Sequence, residues 1–193
     1  MDNLAEAYFD ERPYEILDGE IFYMSCPMTS HNRVKGNIYN IFKNFLKGKK
    51  CEVFPDPTSV FFNKKDVVIP DVMVVCDPNI VKEDGIHGAP DLIVEVLSPS
   101  TGKNDETYKK KLYEKQGVKE YWVVSSREFS IKVYALKDGV YEIDNMYYMY
   151  PNYTLKRMTD EEKAKIETEF TTSLYGDELK IQIADVFCDL DMD

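Results

Sequence analysis

Hydrophobic and polar positions alternate near the start of the chain, and continuous apolar runs follow further along. The segment YEILDGEIFYMS alternates on both sides of Asp18-Gly19, a dipeptide that favours a tight turn, and therefore predicts a β-hairpin. From His31 to Lys47 the apolar residues recur at helical spacing, which predicts a helix with one core-facing stripe. We expect Ser30 to cap this helix and Gly48 to end it.

The middle of the chain contains short apolar runs separated by a Lys-rich segment. The runs VVIPDVMVV and DLIVEVLS are typical of strands covered on both faces, and EYWVVSS and IKVYAL predict a pair of antiparallel strands. The Lys-rich segment predicts a helix over 106–116, with Asn104 or Asp105 as its cap and Gly117 as its end. This order of elements indicates an α/β (α+β) fold with a central mixed β-sheet flanked by helices.

The chain shows no internal repeat or low-complexity linker, so we interpret 1–193 as one domain. An N-terminal arm (1–13) precedes it, and an acidic segment (158–193) is expected to pack on the domain or close it. The polar stretch 79–89 predicts a loop, and 159–169 predicts a short exposed helix. KIQIADVF, near the end, predicts either a last strand or a helical turn.

The formal net charge is −11, which at first argues against a nucleic-acid partner because phosphate affinity comes mostly from Lys and Arg. The charge is unevenly distributed, however. Residues 158–193 carry −8, residues 1–157 carry −3, and 31–50 contain six basic residues and no acid. A basic region is therefore present, and most of the acidity lies at the C-terminal end.

The four cysteines are far apart, so a zinc site is not expected, and we predict reduced thiols in a cytoplasmic protein. The acidic N-terminus lacks the basic start and apolar core of a signal peptide. No apolar stretch approaches the length of about 20 residues needed to span a bilayer. A soluble protein with no membrane partner is expected.

Two of the apolar runs each contain one acid near the middle, Asp71 in the first and Glu95 in the second. A carboxylate in such a position needs hydrogen bonds or a nearby positive group. Placed on neighbouring strands, these two acids suit Mg²⁺, with the backbone carbonyl of Val96 as a third ligand. Asp91 also follows a proline, but on the same strand it would lie about 13 Å from Glu95, too far to share an ion. The alternative is structural, with Asp71 as a turn acceptor and Glu95 paired with a lysine.

The motifs PDVMVV, GAPDLIVEVLSPST and DETYKKKLYEKQGVKEYWVV together resemble the Uma-type restriction-endonuclease-like family of the PD-(D/E)XK nuclease superfamily. The resemblance covers roughly residues 14–143. It implies a restriction-endonuclease-like fold and Mg²⁺-dependent hydrolysis of DNA, with Mn²⁺ as the other candidate ion. It also implies a homodimer that meets both strands of a duplex, for which the Tyr-rich segment 141–153 is a candidate interface.

The resemblance also implies roles for individual residues. Asp71 and Glu95 correspond to the two metal-binding acids. The superfamily lysine normally lies two residues after the second acid, but position 97 is Leu. The pattern D-x-x-x-K-x-x-x-Y in the following helix supplies Lys109 instead. Its neighbours Lys110 and Lys111 are the alternative candidates for this lysine.

Two further residues complete the candidate site. His31 matches a family histidine that would contact phosphate or a metal-bound water, although a lone histidine is as often a packing residue. Glu20 is a candidate for the acid that the superfamily's first helix often contributes, because the helix predicted here has none. Two alternatives to a nuclease stay open: a nucleic-acid-binding module with weak or no catalysis, and a protein-interaction or regulatory domain in which these groups form ion pairs and bind no metal.

Overall fold

A computed structural model describes residues 12–98 and 102–190, so most of the expected N-terminal arm lies outside the described residues. The strands are β1 (Tyr14–Leu17), β2 (Glu20–Tyr23), β3 (Glu52–Pro55), β4 (Val60–Asn63), β5 (Asp66–Val68), β6 (Val72–Val75), β7 (Val81–Lys82), β8 (Gly85–Ile86), β9 (Leu92–Val96), β10 (Glu120–Ser125), β11 (Ser130–Lys137), β12 (Val140–Tyr148), β13 (Glu169–Thr172) and β14 (Gly176–Gln182). The helices are α1 (Thr29–Phe45), α2 (Gly102–Asn104), α3 (Lys110–Gln116), α4 (Asn152–Leu155), α5 (Asp160–Lys163) and α6 (Ile183–Val186). A 3₁₀ turn (Pro78–Ile80) precedes β7, and a π-helical turn (Asp105–Lys109) joins α2 to α3.

The central sheet has the strand order β12-β11-β10-β9-β6-β3 and mixes parallel with antiparallel pairs. Strand β9 runs parallel to β10 and antiparallel to β6, and β10 and β11 form the antiparallel pair that the sequence predicts. Every residue of β6, β9 and β10 is buried, because both faces of the sheet are covered. A second sheet, β2-β1-β5-β4-β8-β7, includes the predicted β1–β2 hairpin.

Helix α1 covers one face of the central sheet with its apolar stripe. Val34, Ile38 and Phe42 are buried there, and the ring of Phe42 contacts Trp122 of β10. The expected bounds of the helix are wrong at both ends. Ser30 lies inside the first turn and does not cap it, since the residue before the helix is Met28 and no side chain caps the first turn. The helix ends at Phe45, before Gly48.

The Lys-rich helix begins earlier than its pattern suggests, at Gly102. Asn104 and Asp105 therefore lie within the helical segment and do not cap it, and the π-helical turn starts at Asp105. Asp105 is 1% exposed because its side chain faces the protein interior beside Lys109. The predicted end is confirmed, because Gly117 adopts the left-handed conformation with φ of 82°.

Two segments differ from their predicted form. The stretch 79–89 is not an open loop, because its apolar residues Val81 and Ile86 pair β7 with β8 in a short hairpin. The predicted helix over 159–169 is reduced to α5, since Thr159 caps the helix and β13 begins at Glu169. KIQIADVF is both a strand and a helical turn, because it contains the end of β14 and all of α6.

The expectation of four reduced cysteines is wrong for Cys51 and Cys76, which form a disulfide. Strands β3 and β6 are antiparallel with Glu52 opposite Val75, so the two cysteines face each other one step beyond that pair. Their sequence separation of 25 residues hid this pairing. Cys26 and Cys188 are free and exposed.

The Tyr-rich segment 141–153 forms most of β12, which is an edge strand of the central sheet, and the start of α4. Ile143 is 56% exposed and Tyr153 is 60% exposed. The homodimer expected through this segment stays a prediction. Within the part of the chain that the structure describes, no helix is long and apolar enough to cross a membrane.

Candidate active site

Strand pairing brings the two candidate metal-binding acids together. Val72 of β6 is opposite Val94 of β9, so Asp71 and Glu95 are the next positions along this antiparallel pair. The carboxylate of Asp71 accepts a hydrogen bond from the backbone N–H of Val96 through Oδ2, at 2.7 Å. Both acids are buried, with Asp71 6% and Glu95 3% exposed. The sheet thus holds them on one surface.

His31 joins this pair from the first turn of α1. Its Nε2 lies 3.2 Å from Oδ2 of Asp71, and the residue is 8% exposed. Its Nδ1 is buried and has no hydrogen-bond partner among the described residues. The histidine therefore fixes one oxygen of Asp71, and the start of α1 determines its position.

Lys109 reaches the site from the π-helical turn and is 2% exposed. Its Nζ lies 3.1 Å from Oε1 of Glu95 and 3.3 Å from Oδ1 of Asp105. Tyr113, one helical turn later, donates a hydrogen bond of 2.7 Å to the same Oε1 of Glu95. All three residues of the D-x-x-x-K-x-x-x-Y pattern therefore lie in the interior, and two of them contact Glu95.

The neighbouring lysines do not compete with Lys109 for this position. Lys110 places its ammonium group 4.2 Å from the centre of the Tyr134 ring, and Lys111 is exposed. Asp91 is also occupied elsewhere, because its carboxylate contacts Lys119 at 2.7 Å and accepts a hydrogen bond from the N–H of Cys76.

The hairpin contributes an acid to the cluster, but it is Glu15 of β1. Glu15 lies 2.8 Å from Lys109 Nζ and accepts a hydrogen bond of 2.8 Å from the N–H of Ile69. Glu20, the sequence candidate, is exposed at the start of β2 and does not line the cavity at the cluster. Both acids lie in the same short hairpin, and the burial of Glu15 becomes visible only when the hairpin is packed against Lys109.

Buried carboxylates outnumber buried cations in this cluster, and this imbalance shifts the ionisation of its members. Burial raises the pKa of Glu95 well above its ordinary value, and the nearby Asp105, Asp71 and Glu15 add to that rise while Lys109 opposes it. Burial alone would lower the pKa of Lys109, but the surrounding acids outweigh it and raise that pKa. The ammonium group therefore keeps its proton, and Glu95 binds a proton more readily than an exposed glutamate.

The cluster surrounds a small cavity of about 50 Å³, enough for a few water-sized groups. Most of its lining residues are polar or charged, and they include Glu15, His31, Asp71, Glu95, Lys109 and the serines Ser25 and Ser98. Larger cavities of about 340 Å³ and 560 Å³ lie on either side and share lining residues with it. The reactive side chains are thus recessed but reachable from the surface.

The donor set restricts the kind of metal ion that fits. Within 12–98 and 102–190, no three His, Cys, Asp or Glu side chains are grouped so that they could hold a metal ion by themselves. A closed site with three or four side-chain ligands, as for zinc, is not formed by these residues. Asp71 and Glu95 do fit Mg²⁺, which takes one or two carboxylates and keeps several waters.

Comparisons with known proteins agree on a family and a fold. The family model described as "Uma2: Putative restriction endonuclease" matches residues 4–156. A curated relative from Synechocystis sp., described as an uncharacterized protein, is 33% identical over 127 residues, covering 65% of this chain and 67% of that protein. The crystal structure of a "putative nuclease belonging to DUF820" from Anabaena variabilis superposes with a TM-score of 0.70 at 18% identity, covering 95% of this chain and 96% of the other. The fold predicted from the sequence is confirmed.

Proposed function

This chain belongs to the Uma2 family of restriction-endonuclease-like proteins, and we propose that it is a metal-dependent endonuclease that hydrolyses phosphodiester bonds in DNA. The observation that supports this most strongly is the burial of Lys109 beside the Asp71–Glu95 pair. Phosphodiester hydrolysis needs ligands for a hard cation and a positive group near the phosphate. These residues supply both around one cavity.

Under this proposal, Asp71, Glu95 and the backbone carbonyl of Val96 hold Mg²⁺ or Mn²⁺. A bound ion of this kind withdraws charge from the phosphoryl oxygens and activates a water molecule. The hydrogen bond from Val96 N–H and the contact with His31 fix Oδ2 of Asp71. Tyr113 and Lys109 both contact Oε1 of Glu95, so its other oxygen carries neither of these bonds.

Lys109 serves as the cation that orients the attacking water or offsets charge on the phosphate. An ammonium group has only donors, so it suits the negative oxygens that develop in hydrolysis. It reaches Glu95 from the helix that follows β9, although position 97 is Leu. His31, at the other wall of the cavity, positions Asp71 and is a second candidate to contact the phosphate.

Two alternatives are favoured by specific observations. The ion pairs from Lys109 to Glu95, Glu15 and Asp105 also fit a protein-interaction domain in which these charges only stabilise the fold. The lack of a three-ligand group within 12–98 and 102–190 fits a nucleic-acid-binding module that does not cleave. A measurement of metal binding distinguishes the protein-interaction domain from a nuclease. A cleavage assay distinguishes the nucleic-acid-binding module from a nuclease.

The deciding experiment incubates supercoiled plasmid, short single-stranded, duplex and branched DNAs, and RNA of matched sequence with Mg²⁺ or Mn²⁺. Wild type is compared with Glu95→Ala and Lys109→Ala, and with Lys111→Ala as an exposed control on the same helix. We expect metal-dependent cleavage that both site variants abolish and the control retains. Cleavage that survives both site variants contradicts the assignment of the site, and cleavage of matched RNA alone contradicts the assignment of DNA.

A further inference from the structure

The larger cavity beside the cluster, which we call the Arg127 cavity, has a volume of about 560 Å³. It shares His31 and Ser98 with the small cavity of the cluster, so the two lie next to each other. Its volume lies within the range of sites that hold small organic ligands. A group bound there is directly adjacent to the proposed reacting phosphate.

The Arg127 cavity has two kinds of wall. Met28 and Leu97 are apolar, whereas Ser125, Ser126 and Arg127 supply hydroxyl groups and a guanidinium. Arg127 is exposed and takes part in no ion pair between described residues. An apolar wall suits the flat face of a base, and a free guanidinium suits a phosphate. This combination matches one nucleotide unit.

The position of the cavity in the fold also favours an anionic ligand. It lies beyond the carboxyl ends of the parallel strands β9 and β10, the place where open α/β sheets bind ligands. The start of α1 forms another side through Met28 and His31. The first turn of that helix has no acidic residue and no capping side chain, so its N–H groups and dipole favour negative charge.

The cations around the three neighbouring cavities are too few to suit duplex DNA. Arg12, Lys109 and Arg127 are the Lys and Arg side chains in their lining, and Lys109 is already held by Glu15 and Glu95. Duplex binding depends mostly on neutralising many phosphates, whereas a single strand also gains affinity by placing unstacked bases on protein surfaces. The cluster itself lies in a recess, and a flexible single strand can enter such a recess.

We propose that the Arg127 cavity is a subsite for the nucleotide next to the scissile phosphate of a single-stranded DNA substrate. Its base packs against Met28 and Leu97, and its phosphate contacts Arg127. This inference rests on the proposed nuclease function, because the cluster must act on a phosphodiester for a neighbouring nucleotide subsite to matter. It adds the strandedness of the substrate and a residue that binds it.

The test measures binding of a fluorescent single-stranded DNA and of a hairpin duplex of the same sequence by fluorescence anisotropy, with a chelator present to prevent cleavage. Two variants alter the cavity: Arg127→Ala removes its cation, and Met28→Glu adds a negative charge at a residue that is 66% exposed. Arg157→Ala and Val140→Glu are matched controls, since neither residue lines any of the three cavities. Thermal unfolding verifies that each variant is folded.

We expect each cavity variant to raise the Kd for the single strand about tenfold, while the controls leave it unchanged. Unchanged binding in both folded cavity variants, or tighter binding of the duplex than of the single strand, overturns the subsite. A parallel cleavage assay with Mg²⁺ keeps the two proposals apart. If wild type, Met28→Glu and Arg127→Ala cleave DNA equally well, the subsite is wrong and the nuclease function stands. If binding depends on Arg127 but no cleavage occurs, only the proposed chemistry is wrong.

Discussion

The ammonium group of Lys109 lies 2.8 Å from Oε1 of Glu15, so a buried ion pair joins the π-helical turn to β1. Glu15 also accepts the N–H of Ile69, two residues before Asp71. One carboxylate thus contacts both the lysine and the backbone that leads into the first metal-binding candidate. Breaking a buried pair by removing one partner typically destabilises a protein by about 3–5 kcal/mol.

Glu15→Gln is therefore expected to reduce DNA cleavage about tenfold, because residues that orient a metal or its ligands typically contribute a factor of this size. The amide oxygen still accepts the N–H of Ile69, but the charge beside Lys109 is lost. The measurement is the cleavage rate as a function of Mg²⁺ concentration. Glu20→Gln, on the same hairpin but exposed, is the matched control and should behave as wild type. Equal losses in both variants would contradict a specific role for Glu15.

Metal binding should depend on Asp71 and not on Asp91. We expect isothermal titration calorimetry to detect binding of Mg²⁺ or Mn²⁺ to wild type and to Asp91→Asn, and to detect none in Asp71→Asn. Asp91 is the suitable control because it is a carboxylate near the same strands that is already paired with Lys119. If wild type binds neither ion, the ion pairs of Lys109 are structural and the interaction-domain alternative gains support.

Tyr113→Phe tests the hydroxyl that shares Oε1 of Glu95 with Lys109. The ring remains packed against Tyr121, so the variant removes only the hydrogen bond. Loss of one buried hydrogen bond should lower the free energy of unfolding by about 1–3 kcal/mol. Chemical denaturation provides this value, and Tyr148→Phe, at an exposed tyrosine, provides the control. A change of less than a few tenths of a kcal/mol would show that the hydroxyl does not hold Glu95 in place.

The pH dependence of stability should reveal the contacts of Asp66, which accepts hydrogen bonds from Tyr108, Asn63 and the N–H of Asp18. Burial alone would raise its pKa, but these bonds outweigh burial and lower the pKa from its ordinary value of 3.8. A lowered pKa means that the ionised carboxylate stabilises the fold above about pH 4 and that this contribution is lost as the pH falls below it.

Asp66→Asn should consequently be less stable than wild type at neutral pH, by about 1–2 kcal/mol. The difference in the free energy of unfolding between the two proteins should shrink as the pH falls below about 4. Urea denaturation over a pH series measures it. A difference that stays constant into strong acid would contradict the lowered pKa.

Local sequence pattern predicted those parts of the site that depend on alternation and helical spacing. The pairing of Asp71 with Glu95 follows from two apolar runs on neighbouring strands. The choice of Lys109 on the helix came from the family resemblance, because spacing alone does not distinguish it from its neighbouring lysines. The helix bounds were less predictable, because packing and not a capping side chain determines where α1 begins.

The contacts that the sequence did not predict join segments distant in the chain. Glu15 meets Lys109 across 94 positions only after the hairpin has packed on the helix, and nothing in YEIL distinguishes this acid from an exposed one. The disulfide between Cys51 and Cys76 depends likewise on the register of β3 and β6. Such contacts arise from tertiary packing, which spacing within one segment does not encode.

The π-helical turn determines how the polar side chains of this helix line up. In an α-helix with 3.6 residues per turn, each step of four residues overshoots one full turn by about 40°, so side chains at 105, 109 and 113 would drift around the axis. A π-helix contains more residues per turn than an α-helix, so four of its residues cover less than one full turn and offset the drift. Deleting one residue there would rotate Asp105 by about 100° relative to Tyr113, and the row of aligned side chains would be lost.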